Sequence, residues 1–574
     1  MSVNTILKKT LFSLLLVCAT AFCTAAEDKM VQGQIKWWPR LTPAAMPTGL
    51  SQLAILEFSP EAADGDAPAE LELTLPDGVS YLGSPTAWIN PNRPNVHALP
   101  FPERTAVAEK AGQTGNILRM SFAAGNFGKK PQTFLPMLLD VNAAPGSYKV
   151  KAAIKSGDAR RVEELALEVL PPLDPTPCVK PLIVWDYPGV DEPYLPVIIN
   201  SFTTAGFNRF YIAREELPNR KSSTDFQQRF KTAQGIAFSM DGVAQYYNDR
   251  PLPDGMSTVP AEKPDCGWMV DHPEESRRLI VEFLKFMTAG KPFQYAIMDC
   301  ERGAFKMNGK KIVGDLTEYN RKRFAEYAGL AQTPTADEIT EKYRKQWIDY
   351  SCILTREYAA MFASAMRDAI PNCKYEIYSG YQYADNTTRQ NYAMDWQGMT
   401  EVGMDAAGAG YFGSRKEVES TVEAIAPTPL IPAEMYMENF NTPGIPAPRL
   451  NIDNFAFRLI QVYLWSGCGG MQIWHGGVLT GAGLTAINRF KSFVNATAEI
   501  TDGAERIPTD DLLTTTPRPA AENIYCFRKN GKTNAIVLNP TATTAVIRIA
   551  PEAKGGKRLT LKMAPFSYRI EEIK

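Results

Sequence analysis

Apolar and polar positions alternate along the 574-residue chain, and the period of the alternation changes twice. Between residues 27 and 175, apolar residues recur at every second position in short runs such as AELELTLP and EELALEVLP. Proline, glycine, aspartate and asparagine separate these runs, as is typical of antiparallel β-sandwiches. The pattern predicts an immunoglobulin-like β-sandwich over 27–175, followed by a barrel domain that begins within the stiff, proline-rich stretch PPLDPTP.

From 176 to 505, apolar strands alternate with amphipathic helices. The predicted strands are 181–187, 207–213, 235–241, 294–300, 374–380, 404–412, 429–436 and 470–476. Helical periodicity is clearest at 273–290 and in a longer segment at 339–370. Eight β/α units in roughly 320 residues predict a (β/α)8 TIM barrel. A doubly wound sheet that binds a dinucleotide needs a glycine-rich turn after its first strand, and WDYPGVDEP is not such a turn.

Residues 506–574 lack the helical period. The segment RKNGKT at 528–533 places Asn-Gly between two apolar runs, which is a strong signal for a β-hairpin. The predicted fold class is therefore α/β, with a (β/α)8 TIM barrel at 176–505 flanked by an N-terminal β-sandwich and a small C-terminal β-domain at 506–574.

The first 26 residues predict a secretory signal peptide. Lys8 and Lys9 precede an apolar run at 11–22, and small residues lead to Ala26. No later stretch approaches the ~20 apolar residues of a membrane helix, so we expect no integral membrane segment after cleavage. The mature protein is expected to be exported, to the periplasm or the extracellular space.

Charge and cysteine usage narrow the possible function classes. The chain has 61 lysines and arginines and 63 aspartates and glutamates, a balance that argues against nucleic acid as a partner. Seven cysteines follow the signal peptide without any CxxC spacing, and only three histidines are present. This composition predicts no metal centre, and no other cofactor is expected. An oxidising compartment permits a disulfide, for example Cys352 with Cys373, while the pairing and the oligomeric state stay open.

Carboxylates and aromatic residues dominate the ends of the predicted barrel strands, where a TIM barrel holds its active site. The candidates are Asp186, Asp299, Glu301, Tyr378, Tyr411, Glu434, Trp474 and His475. Hydrolysis of a glycosidic bond needs one carboxyl group to protonate the leaving oxygen and a second to attack or to activate water. Because strands four and seven lie across the barrel mouth, Glu301 and Glu434 are predicted to approach to the roughly 5–5.5 Å of a retaining mechanism.

The acids on strands four and seven, with an aromatic residue on strand eight, resemble glycoside hydrolase clan A, with the closest likeness to the family 42 β-galactosidases. Asp299-Cys300-Glu301 matches the family's Asp-Asn-Glu-like motif, and PLIPAE at 429–434 matches the segment that carries the nucleophile. The resemblance implies a retaining glycosidase that cleaves a β-glycosidic bond in an oligo- or polysaccharide, with Glu301 as acid/base and Glu434 as nucleophile. Cys300 replaces the family's asparagine, and a thiol is a weaker hydrogen-bonding group.

The remaining candidates are predicted to bind the carbohydrate substrate: Asp299, Cys300, Asp186, Tyr378, Tyr411, Trp474 and His475. Core packing is the competing interpretation for the aromatic residues, and Glu438 competes with Glu434 for the role of nucleophile.

Two other functions stay open. Asp299-x-Glu301 also resembles the Asp-x-Glu motif of substrate-assisted, chitinase-like enzymes, in which the substrate's own acetamido group attacks and Glu434 is a bystander. The chain is also compatible with a non-catalytic carbohydrate-binding protein on a degenerate barrel.

Overall fold

The computed structural model describes residues 35–38, 43–59, 67–84, 96–98, 104–109, 116–124, 132–157, 159–185, 194–213, 233–240, 243, 247, 264–288, 293–301, 305–382, 387–411, 413–435, 452–474, 476–509, 513–516, 522–551 and 558–573. The predicted signal peptide lies outside these residues.

The N-terminal segment folds into two β-sheets that share one apolar core. Its strands are β1 (Ile35–Trp38), β2 (Ala44–Pro47), β3 (Leu50–Phe58), β4 (Ala69–Leu75), β5 (Val79–Gly83), β6 (Val96–Ala98), β7 (Arg104–Glu109), β8 (Asn116–Phe122), β9 (Gln132–Val141), β10 (Gly146–Ser156) and β11 (Ala159–Leu170). One sheet has the order β1-β3-β9-β5 with β6 on β9, and the other has the order β2-β11-β10-β4-β8-β7. Leu56 and Leu139 of the first sheet pack in the same cluster as Leu73 and Val150 of the second, because the period-two pattern turns apolar side chains to one face. The immunoglobulin-like connectivity stays a prediction.

Eight parallel strands close into a barrel, which confirms the predicted central fold. They are β12 (Leu182–Trp185), β13 (Arg209–Ala213), β14 (Ala233–Ser239), β15 (Tyr295–Asp299), β18 (Lys374–Ser379), β19 (Ala406–Ala409), β20 (Leu430–Met435) and β21 (Met471–Trp474). Between the fourth and fifth barrel strands lies a short hairpin of β16 (Phe305–Met307) and β17 (Lys310–Ile312). Seven of these strands fall within the predicted strands and are shorter than predicted, whereas β14 begins two residues before its predicted start at 235.

Helices surround the barrel and cover its outer face. They are α1 (Leu195–Ala205), α2 (Cys266–Asp271), α3 (Pro273–Thr288), α4 (Glu318–Tyr327), α5 (Ala336–Glu341), α6 (Arg344–Ala369), α7 (Thr387–Tyr392), α8 (Trp396–Met399), α9 (Arg415–Ile425), α10 (Ile452–Trp465) and α11 (Gly481–Thr501), with short 3₁₀ turns at Thr400–Val402 and Gly476–Val478. The helix predicted at 339–370 is in fact two helices. The first begins at a capping box between Thr335 and Glu338, which starts α5 upstream of the predicted start.

The interior of the barrel is filled mainly by large aromatic side chains. Ile183, Trp185, Tyr211, Ile297 and Tyr378 form one buried cluster with Ala406, Ile431 and Ala433. The alternate residues of the same strands, such as Val184, Met298 and Ile473, belong instead to the cluster beneath the helices. Membership of the two clusters therefore shows which positions of each strand point inward and which point outward.

Glycines on neighbouring strands make room for these rings. A Cβ atom at Gly235 would overlap the Tyr211 ring, and one at Gly408 would lie 2.9 Å from Tyr378 and 2.8 Å from the Gln472 amide. Deeper in the interior, the Glu376 carboxylate accepts hydrogen bonds from Arg209 at 3.0 Å and from the Tyr211 hydroxyl at 2.6 Å. The interior is thus a packed core with a buried ion pair beneath the aromatic layer.

The C-terminal strands form two smaller sheets. They are β22 (Glu505–Ile507), β23 (Leu513–Thr516), β24 (Ile524–Lys529), β25 (Lys532–Asn539), β26 (Ala545–Pro551), β27 (Leu559–Met563) and β28 (Ser567–Ile573). The sheet orders are β22-β24-β25-β28 and β23-β26-β27. Asn530 and Gly531, with φ values of 51° and 77°, join β24 to β25 and confirm the predicted hairpin.

Side chains of α11 hold the proline-rich linker against the barrel. The Asn488 amide donates to the Asp174 carbonyl at 2.8 Å, Lys491 donates to the same carbonyl, and Asn495 donates to the Pro177 carbonyl at 2.9 Å. Nearby, Leu53 of β3 forms a β-bridge with Thr480, just before α11. The linker is therefore anchored along the middle of the last barrel helix, and the N-terminal sheets contact the chain just before that helix starts.

All the cysteines in the described part of the chain are free thiols, so Cys352 and Cys373 do not form the disulfide that an oxidising compartment permits. Across the same described ranges, no helix has the length and apolarity that crossing a membrane requires.

Replacing Gly235 by alanine should destabilise the barrel, because the added Cβ atom overlaps the buried Tyr211 ring. Overpacking of this kind typically costs about 1–3 kcal/mol in the free energy of unfolding, which urea denaturation measures. Gly398→Ala is the matched control, since the nearest atom to its added Cβ is an Arg356 carbon at 3.4 Å. Equal stability of the two variants would contradict the packing described here.

Candidate active site

Asp299 and Glu301 lie together at the carboxyl end of β15. Because Tyr295 and Ile297 face the barrel interior, the alternation of the strand turns Asp299 the same way. The backbone N–H of Glu301 donates to the Asp299 carboxylate at 2.9 Å, and the N–H of Cys300 donates to the Tyr378 carbonyl at 2.8 Å. These bonds fix the backbone that follows the strand and the orientation of the Asp299 carboxylate at the barrel mouth.

The environment of Glu301 favours its protonated form. Burial raises the pKa of Glu301 to about 8, and the charge of the neighbouring Asp299 carboxylate adds to the shift. At pH 7 most Glu301 side chains therefore carry a proton. A carboxyl group that is protonated at neutral pH can donate a proton to a bound substrate.

Cys300, between the two acids, points away from the site. Its side chain is 0% exposed and packs with Ala296 and Met298 in the cluster beneath the helices. The structure therefore places the thiol in the outer core, whereas the sequence predicts a contact with the substrate.

A row of aromatic rings runs across the barrel mouth. Trp185 and Tyr378 have ring centroids 5.1 Å apart, Tyr378 and Tyr411 6.0 Å, and Tyr411 and Trp474 5.4 Å. Tyr411 and Trp474 are only partly buried, whereas Trp185 and Tyr378 form the closed floor. The predicted residues Tyr378, Tyr411 and Trp474 are thus brought together, and the partly exposed rings of Tyr411 and Trp474 form a surface on which a sugar ring can stack.

Tyr378 joins this aromatic row to the acids. Burial, followed by the charge of Glu301, raises the pKa of the Tyr378 hydroxyl well above its ordinary value. The phenol therefore stays protonated over the physiological range.

Gln472 is a part of the site that sequence reasoning missed. Its amide oxygen accepts from the Trp185 indole N–H at 2.5 Å, and its amide nitrogen donates to the Ile431 carbonyl at 3.0 Å. The amide fixes the Trp185 ring in the floor. Its position two residues before Trp474, on the same face of the strand, is the sequence signal that could have found it.

Glu434 occupies a different environment from the other predicted acids. Ile431 and Ala433 face the interior, so the next residue, Glu434, faces the helices, and its side chain is 0% exposed. One carboxylate oxygen accepts from Arg458 of α10 at 2.7 Å through Nη2 and at 3.1 Å through Nε. The structure thus does not bring Glu434 together with Glu301, and its role as nucleophile stays a prediction.

Three of the predicted candidates, Asp186, His475 and Glu438, lie outside the described residues. Within the ranges that are described, no three histidine, cysteine, aspartate or glutamate side chains group in a way that could hold a metal ion.

No protein-family model and no curated protein sequence matches this chain. Among solved structures, it is similar to a family 39 glycoside hydrolase from Bacteroides cellulosilyticus, with 10% identity, a TM-score of 0.34 and coverage of 94% of this chain and 100% of the other. A β-galactosidase from Bacillus circulans has 10% identity, a TM-score of 0.40 and 58% coverage of each chain. A family 123 glycoside hydrolase from Clostridium perfringens has 9% identity, a TM-score of 0.28 and coverage of 80% and 85%. With TM-scores below 0.5, these likenesses carry no conclusion about chemistry, and the likeness to family 42 stays a prediction.

Replacing Arg458 by methionine should destabilise the protein strongly, because it removes the guanidinium that pairs with the fully buried Glu434 carboxylate. Loss of one partner of a buried ion pair typically lowers the free energy of unfolding by about 3–5 kcal/mol, measurable by urea denaturation at pH 7. The double variant Glu434→Leu/Arg458→Met should recover most of this loss, since it leaves no buried charge. A loss of only about 1 kcal/mol in Arg458→Met, typical of exposed pairs, would contradict the buried pair.

Proposed function

We propose that this protein is a glycoside hydrolase in which Glu301 is the general acid and Asp299 is its partner. The observation that carries the proposal is the buried Glu301 carboxyl group beside Asp299 at the end of β15, together with the partly exposed rings of Tyr411 and Trp474. A protonated acid next to an ionised one, beside an aromatic surface, provides the groups that protonate a glycosidic oxygen and stabilise the positive charge that develops on the sugar.

The geometry favours the substrate-assisted form of this reaction. Glu434 faces the helices and pairs with Arg458. Among the described residues, the second carboxylate at the site is therefore Asp299, two positions before Glu301. In this mechanism the acetamido oxygen of the substrate attacks the anomeric carbon while Glu301 protonates the leaving oxygen. The Asp299 carboxylate accepts the acetamido N–H and stabilises the cyclic intermediate.

The chemistry then determines the substrate class. The acetamido oxygen must attack from the face opposite the leaving group, which requires a 1,2-trans arrangement. We therefore propose β-linked 2-acetamido-2-deoxy sugars as substrates, cleaved with retention of configuration. Water opens the cyclic intermediate in a second step, and Glu301, now ionised, removes the proton from that water.

Glu301→Gln should lower kcat by about 10²–10⁴-fold on aryl N-acetyl-β-glycosides whose leaving phenol has a high pKa, because that phenol needs the proton. The loss should be much smaller on 2,4-dinitrophenyl glycosides, whose leaving group needs no acid. Steady-state kinetics on the two substrates measures the difference, and Glu326→Gln, at an exposed glutamate on α4, is the matched control.

The same series tests the substrate class. Cleavage of aryl β-galactosides and aryl N-acetyl-β-glycosides with equal kcat/KM would contradict substrate assistance and favour a protein nucleophile. Retention of N-acetyl sugars on an affinity column without any cleavage would favour the non-catalytic alternative.

Asp299→Asn should move the basic limb of the pH profile of kcat/KM to lower pH. In the wild type, activity should fall as pH rises through about 8, the pKa to which Glu301 is raised, because the acid loses its proton there. Removing the Asp299 charge removes the repulsion that helps to raise this pKa. An unchanged basic limb in Asp299→Asn would show that another group is the acid.

The raised pKa also has a consequence for stability. Glu301 is protonated in the folded state and ionised in the unfolded state between its ordinary pKa and about 8, so the unfolded state binds fewer protons there. The contribution of Glu301 to stability therefore decreases as pH rises through this window.

A further inference from the structure

We propose that Glu434 and Arg458 act as a positioning pair that holds the Tyr411 turn, defined here as Gly410, Tyr411, Gly413 and Ser414, and so places the Tyr411 ring at the barrel mouth. The catalytic consequence of this pair rests on the proposed function. The effect of the pair on the position of the turn does not depend on that function.

Arg458 connects the buried carboxylate directly to the turn. Its Nη2 group donates to Glu434 at 2.7 Å and also to the carbonyl of Gly413 at 2.7 Å. The guanidinium lies 5.3 Å from the Trp465 ring centroid, which holds it from another side. A guanidinium has a rigid, planar set of donors, so the carboxylate that fixes its orientation also fixes the direction of its bond to Gly413.

The other contacts of the turn leave it little freedom. Gly410 N–H donates to the Ser379 carbonyl at 3.2 Å, and Gly413 packs so tightly on Tyr381 that a Cβ atom would overlap the ring. Ser414 caps α9 through a capping box with Glu417. Gly410 also lies against Ala433 of β20, and the Arg458 bond adds a charged hydrogen-bond link between Gly413 and Glu434 of the same strand.

The Tyr411 ring connects the turn to the proposed substrate site. It lies between Tyr378 and Trp474 in the aromatic row, and it is one of the two partly exposed rings there. A shift of the turn would move the surface on which the sugar stacks without touching Asp299 or Glu301. Glu434 would then influence activity from the outer face of its strand, through Arg458 and Gly413, and not as a nucleophile.

Hydrogen exchange tests the structural part of the proposal without an assay of activity. In the double variant Glu434→Leu/Arg458→Met, the amides of Tyr411, Gly413 and Ser414 should exchange faster than in the wild type, while those of β15 keep their protection. The matched control is Asp453→Asn/Arg489→Gln, which removes an exposed ion pair that also involves α10. Unchanged exchange in the Tyr411 turn, or equal acceleration in the control, would overturn the proposal.

Kinetics tests the functional part. The double variant should lower kcat/KM by about 10–100-fold, as expected when a binding group is misplaced, with most of the change in KM. The pH profile of the double variant should match that of the wild type, because Asp299 and Glu301 are untouched. The single variant Glu434→Gln should lose less kcat/KM than the double variant, since its amide oxygen still accepts from Arg458.

A nucleophilic role for Glu434 predicts a different result. Glu434→Gly would then lose turnover almost completely, sodium azide would restore it, and a 2-deoxy-2-fluoro glycoside would label Glu434 in the wild type. Either rescue or labelling would overturn the positioning role. If the wild type cleaves no glycoside at all, the proposed function fails, and the exchange data alone decide whether the pair holds the turn.

Discussion

The limited width of a closed eight-stranded barrel governs how the rest of this structure is arranged. Eight strands leave an interior that side chains fill completely, so large rings from some strands require small residues on their neighbours. Here Tyr211 lies over Gly235 and Tyr378 over Gly408. This packing builds a closed aromatic floor, and ligand access is confined to the carboxyl ends of the strands, where Asp299 and Glu301 lie.

The charges of the barrel are distributed according to the same inward and outward alternation. Inside, Glu376 is neutralised by Arg209 below the aromatic floor, and outside, Glu434 is neutralised by Arg458 beneath the helices. Asp299 and Glu301 instead stand beside each other, and burial, with the charge of Asp299 adding to it, raises the pKa of Glu301. An opposite charge holds the orientation of Glu376 and of Glu434, whereas Glu301 has a like charge as its neighbour, and this difference distinguishes Glu301 as the candidate proton donor.

The flanking segments support the barrel at its last helix. Asn488, Lys491 and Asn495 hold the linker, and Leu53 of the N-terminal sheets reaches Thr480, six residues after Trp474. The N-terminal part of the chain thus packs behind the segment that follows the last aromatic residue of the mouth. The Leu53 bridge restricts the backbone at Thr480, just before α11 begins.

The sequence by itself determined the barrel, the C-terminal hairpin and the acids at the end of the fourth strand, because periods of two and 3.6 residues and an Asn-Gly turn are local signals. Only the tertiary structure decided which way Glu434 points. Barrel strands are buried on both faces, so PLIPAEMY is apolar apart from Glu434 and contains no alternation from which its inward positions can be read. A shift of one residue moves a side chain to the opposite face, and the choice depends on packing against Arg458 and the helices, from segments distant in the chain.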